Sequence, residues 1–224
     1  MNLKLIVSSL LALALIQLSQ IAPLKAQEKL NRYDEAIDAF LRQDSVSFPK
    51  KGSVLFIGSS SIGRWHDLEQ RLSEYTVIRR GFGGSTFAEI LHYSKDIVLP
   101  YRPSKIFVYA GENDLVQGKS VPEIMETIEK IHRQIKQTLP FTTLCIISVK
   151  PSIKLEAYSA DIVKLNESIK AYVEKVGCSI HFVDIFHSML DEQGELKSGI
   201  FVSDNLHLSP GGYDIWEDVI RKYL

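Results

Sequence analysis

Cysteine is almost missing from this chain of 224 residues, which holds only Cys145 and Cys178. That excludes a disulfide scaffold, and both thiols are expected to be free. Spacings that gather metal ligands are missing too: there is no C-x-x-C, no H-E-x-x-H and no closely spaced histidine pair. No metal or organic cofactor is therefore expected. Lys and Arg total 26 against 27 Asp and Glu, so no surplus of positive charge points to nucleic acid as a partner. Phosphate cradles fail as well. No G-x-x-x-x-G-K-[ST] occurs, and Gly81 and Gly83 lack a third glycine at Thr86. A G-x-S-x-G elbow fails because Ile62 stands where the second glycine is needed.

Long apolar runs are also lacking. The longest, Leu5 to Ile16, falls short of the roughly 20 residues of a spanning helix. Lys4 ahead of it and Leu24-Lys25-Ala26 behind it give residues 1–26 the layout of a secretory signal peptide. An uncleaved anchor is the alternative. The reading implies a secreted or periplasmic protein without a membrane span after cleavage, and a single domain over residues 27–224. Nothing in the sequence fixes its oligomeric state.

What the chain does contain is a regular exchange of short apolar runs with amphipathic segments. The runs are Ser53 to Gly58, Tyr75 to Gly81, Lys105 to Gly111, Thr143 to Val149 and Ser179 to Ile185. Strands buried on both faces of a parallel sheet have this composition. The clearest helix is Val121 to Leu139, where Ile124, Ile128, Ile131 and Ile135 share a face between Ser120 and Pro140. Others are expected over Ala157 to Val176, Ser61 to Leu72, Thr86 to Val98, Gly212 to Leu224 and Asn31 to Arg42. The alternation predicts an α/β fold with helices on both faces of a parallel sheet of about five strands. Ligands of such sheets bind beyond the carboxyl ends of the strands.

At those ends lie Gly58-Ser59-Ser60-Ser61-Ile62-Gly63, Gly81-Phe82-Gly83-Gly84-Ser85-Thr86 and Gly111-Glu112-Asn113-Asp114. Asp204-Asn205-Leu206-His207 comes just before the last helix. Singly, each has an ordinary explanation as a helix cap or a turn. Together they supply a serine, backbone N–H donors, an amide and an Asp/His pair, the parts that acyl transfer uses.

In order and spacing these four blocks resemble the SGNH (GDSL-like) hydrolase superfamily, from about Val54 to Trp216. The resemblance implies a flavodoxin-like three-layer α/β/α sheet and a serine-dependent esterase. Its first block is usually G-D-S; here Ser59 replaces the Asp and Ser60 becomes the nucleophile, with Ser59 and Ser61 as rivals. The resemblance further implies His207 as base, Asp204 as its orienter, and an oxyanion hole from Ser60, Gly84 and Asn113. Glu112 stands where Thr is more usual. Carbohydrate, lipid or small acyl esters are the implied substrates.

Two other classes compete with that reading. A metal-dependent phosphoester hydrolase would use Asn113, Asp114, Asp204 and His207 as ligands, and a binding module would keep the cleft without turnover. His66, His92, His132, His181 and His187 are expected to have ordinary roles. Lys150-Pro151 and Tyr213 to Trp216 read as packing and turn features. Phe82 and Trp65 fit either a core or an acyl pocket.

Overall fold

The computed structural model describes residues 31–224. The leader assigned to residues 1–26 lies outside the described residues. All five apolar runs are strands: β1 Val54–Gly58, β2 Val77–Gly81, β3 Lys105–Tyr109, β4 Thr143–Ile147 and β5 Ile180–Val183. They pair in parallel in the order β2-β1-β3-β4-β5. The helices are α1 Asp34–Val46, α2 Ser60–Gly63, α3 Leu68–Arg71, α4 Phe87–Ile97, α5 Glu112–Val116, α6 Val121–Thr138, α7 Ser159–Val176 and α8 Pro210–Ile220.

Alternate strand residues feed two cores, which makes the three layers. Leu55, Ile57, Ile106, Val108, Leu144 and Ile146 pack with α4, α6 and α7. Phe56, Phe107, Tyr109, Cys145 and Ile147 face the opposite way, toward α2, α3 and α8. Strand β1 is buried along its whole length, as a central parallel strand must be. Strand order reverses between β1 and β3, so the crevice at their carboxyl ends is the expected ligand site.

Helix α6 matches its pattern closely. Its N-terminus is held by Glu123, whose carboxylate accepts the Ser120 N–H at 2.9 Å and the Ser120 hydroxyl at 2.6 Å. The helix expected over Ser61 to Leu72 is instead two short ones. A side-chain carbon on Gly81 would lie 2.1 Å from the Gly63 nitrogen, so α2 meets β2 backbone to backbone. The chain then turns to bury Trp65 against Phe56 and Tyr213 before α3 begins. The last helix starts at Pro210 rather than Gly212, because Ser209 Oγ accepts the Gly212 N–H at 3.2 Å.

Both cysteines are free; Cys145 is buried and Cys178 exposed. Burial pushes the Cys145 thiol up to about 12. Among the described residues, no helix is long and apolar enough to cross a membrane.

Candidate active site

Ser60 begins α2 directly after β1, and its placement follows from the close contact at Gly58. A carbon on Gly58 would lie 2.1 Å from the Tyr109 carbonyl oxygen, which accepts the Ser59 N–H at 3.0 Å. The turn is thus pinned to the end of β3. Ser59 and Ser61 are both buried, whereas Ser60 Oγ lies 3.0 Å from His207 Nε2. Of the three serines, Ser60 is the one set toward the histidine.

Asp204 builds the other half. Its Oδ1 accepts the N–H groups of Leu206 and His207, each at 2.9 Å, while Oδ2 lies 2.5 Å from His207 Nδ1. Asn205 makes the tight turn possible with φ +57°, a left-handed conformation that asparagine tolerates. The His207 contact, followed by those two N–H groups, holds the Asp204 carboxyl well below the usual carboxylate range. An ionised carboxylate only accepts, so Nδ1 carries the ring proton and Nε2 turns its lone pair to Ser60.

The glycine turn lies against this pair: a carbon on Gly83 would stand 3.7 Å from Ser60 Cβ. Gly84 has φ +84°, and a carbon there would meet Tyr33 Oη at 3.0 Å. The Gly84 carbonyl accepts from Arg32 at 2.8 Å. Asn113 Nδ2 donates to the Ser85 carbonyl at 3.0 Å, which joins α5 to the glycine turn. One N–H bond is committed there and the amide has a second.

Asp114 is buried and its carboxylate is taken up by backbone donors. Its carboxylate accepts from the N–H groups of Phe87, at 3.2 and 3.3 Å, and Gly111, at 3.1 Å. Burial pushes it up to about 7 against those bonds. It therefore binds the ends of α4 and α5 together and does not join Asp204 and His207 as a ligand set. Among the described residues, no group of three or more His, Cys, Asp or Glu is placed to hold a metal ion. Trp65 and Phe82 are core residues. A cavity of about 430 Å³ is lined by Pro151, Leu155, Phe186 and Leu196, and the Lys154 N–H donates to the Asn205 carbonyl at 3.1 Å. Ser60, Asp204 and His207 do not line the cavity.

A second Asp-x-x-His, Asp184 to His187, has the same local spacing. His187 Nδ1 lies 2.7 Å from Asp184 Oδ2, and its N–H donates to Oδ1 at 3.1 Å. Counting that spacing along the chain finds both turns.

A family model, GDSL-like Lipase/Acylhydrolase, matches residues 52–215. The chain belongs to that family. All four blocks fall inside the match. A candidate platelet activating factor from Streptococcus pneumonia shares the fold, with a TM-score of 0.75, 22% identity, and coverage of 92% of this chain and 98% of its own. So does a GDSL-like lipase from Bacteroides thetaiotaomicron, with a TM-score of 0.70, 21% identity, and coverage of 84% and 96%. An acetylxylan esterase from Geobacillus stearothermophilus is similar at a TM-score of 0.59, 15% identity, and coverage of 77% and 94%. Two N-acylneuraminate cytidylyltransferases of Streptococcus agalactiae are 24% identical over 185 residues, covering 79% of this chain. The chain spans 40% of the length of those curated relatives.

Proposed function

We propose that this member of the GDSL-like family is a serine-dependent carboxylic ester hydrolase, with Ser60 as nucleophile and His207 as base. The observation that carries the reading is the Asp204–His207–Ser60 chain, at 2.5 and 3.0 Å. His207 Nε2 takes the Ser60 proton as Oγ attacks the ester carbonyl. Asp204 keeps the ring in the needed tautomer and stabilises the imidazolium that forms. Charge on the carbonyl oxygen is met by the Ser60 and Gly84 N–H groups and the second N–H of Asn113. Collapse of the tetrahedral species breaks the bond to the alcohol, which leaves with the proton from His207. Water then attacks the acyl-enzyme by the same route.

Small acyl, lipid and carbohydrate O-acyl esters are the proposed substrates. Export from the cytoplasm is part of the proposal and rests on the sequence of residues 1–26. The phosphoester reading is weakened by the backbone N–H groups that occupy Asp114. The binding-module reading is weakened by the 3.0 Å approach of His207 Nε2 to Ser60 Oγ, which binding alone does not call for. A panel of p-nitrophenyl esters of rising chain length, run beside acetylated sugars with and without EDTA, tests all three. The proposal expects ester turnover that EDTA leaves unchanged. Loss of turnover in EDTA with recovery on adding a divalent ion supports the metal reading instead, and no turnover of any ester leaves the binding module.

A further inference from the structure

Lys150 follows β4 and is 1% exposed, the most deeply buried charged residue among those described. Its Nζ is paired with Glu112 Oε1. Glu112 Oε2 accepts the hydroxyl proton of Tyr109 at 2.8 Å. Fold stability alone is a poor reason for such a pair, since apolar residues of similar volume commonly serve as well in a core.

Its contacts suggest another reason, because they reach three of the elements that build the candidate site. Glu112 opens α5 and immediately precedes Asn113. Tyr109 ends β3, and its carbonyl fixes the Ser59 N–H beside the nucleophile. Lys150 Nζ stands 5.9 Å from the centre of the Phe201 ring. Phe201 bridges to Leu208, and the next residue, Val202, donates its N–H to the His207 carbonyl at 2.9 Å. The oxyanion helix, the nucleophile turn and the histidine loop thus meet at one buried ion pair.

We propose that Lys150 and Glu112 are a positioning pair that aligns the Asn113 amide with the Ser60–His207 axis. The proposal rests on the serine-esterase reading above. An ion pair suits the task because its geometry is directional, whereas an apolar plug permits sliding. A misplacement of about 1 Å in a catalytic group can cost on the order of 10²-fold in rate.

The test is the double variant Lys150→Met/Glu112→Gln, which removes both charges yet leaves Tyr109 an acceptor. Its melting temperature should fall by several degrees at most, because no unpaired charge stays buried and only the amide N–H groups introduced at position 112 lack an acceptor. Its kcat should fall roughly 10- to 100-fold while KM changes less than about threefold. In an Asn113→Ala background the same double change should cost less than about threefold, since groups acting through one another do not add. Parent-like kcat in the double variant overturns the proposal, as does a full multiplicative loss in the Asn113→Ala background. Should the double variant not fold, Lys150→Arg keeps the charge with a different donor geometry. Lowered kcat at unchanged KM in that folded variant supports the proposal, and parent-like kcat overturns it. Failure of the esterase reading itself is seen separately, as ester turnover that survives Ser60→Ala.

Discussion

Two turns in this molecule have the same local design and different surroundings. Asp184–His187 and Asp204–His207 each place a carboxylate oxygen on a histidine Nδ1 and a second oxygen on the same residue's N–H. The His187 side chain is 78% exposed, and the His207 side chain is 16% exposed with its Nε2 on Ser60. Three-residue spacing is enough to make an Asp–His pair. What distinguishes the second pair is its tertiary setting, which puts His207 Nε2 3.0 Å from Ser60 Oγ at the end of β1.

The largest expected effects separate the two turns outright. Ser60→Ala and His207→Ala should each lower kcat for p-nitrophenyl acetate by about 10³-fold or more, because the members of a triad act as a unit. Asp204→Asn should cost roughly 10²–10³-fold by favouring the wrong ring tautomer. Asp184→Asn, assayed beside it, should leave kcat within about twofold, since nothing downstream of His187 depends on its tautomer.

Next in size is the oxyanion side. Asn113→Ala should lower kcat by roughly 10²–10³-fold with little change in KM, because the donor matters once charge develops on the oxygen. A pure KM effect would make Asn113 a substrate contact. Gly84→Ala should also hurt, both through strain at φ +84° and by crowding Tyr33.

Smaller effects concern stability and its dependence on pH. Asp114 is raised to about 7 by burial, whereas an unfolded aspartate titrates near about 3.9. Between those values the folded state binds the extra proton, so this contribution is fully present below about 4 and lost as pH rises through about 7. Thermal melts at pH 5 and pH 8 should therefore show Asp114→Asn gaining on the parent by a few degrees at the higher pH. Asp204 has the opposite sign. Its carboxyl is depressed in the fold, so its contribution holds at neutral pH and is lost as pH falls through the acidic range. His187→Ala is the smallest change of all, expected within about 0.5 kcal/mol of the parent in stability and silent in activity.

The strands were legible because runs such as Leu55 to Ile57 are apolar on both faces, and the sequence of the helices followed from isoleucine spacing and caps. The break between α2 and α3 was not legible. It depends on Gly63 meeting Gly81, a contact between segments that the local pattern treats as unrelated. Helix α5 was read as turn chemistry, because the Asp114 carboxylate that caps Gly111 looks like an ordinary Asn-Asp turn until its acceptor role is seen. The candidate residues were legible through their blocks, but not what sets Ser60 apart from Ser59 and Ser61, which is its Oγ lying 3.0 Å from His207 Nε2. Least visible were Lys150 and Glu112, partners 38 residues apart with no local signal joining them.

In the proposed mechanism His207 activates Ser60 and no neighbouring serine. Labelling with a fluorophosphonate, followed by peptide mass mapping, tests it most directly, because only an activated hydroxyl is phosphonylated. One adduct is expected, on Ser60, which vanishes in His207→Ala and persists unchanged in His187→Ala. An adduct on Ser59 or Ser61, or labelling of Ser60 that survives His207→Ala, would contradict it.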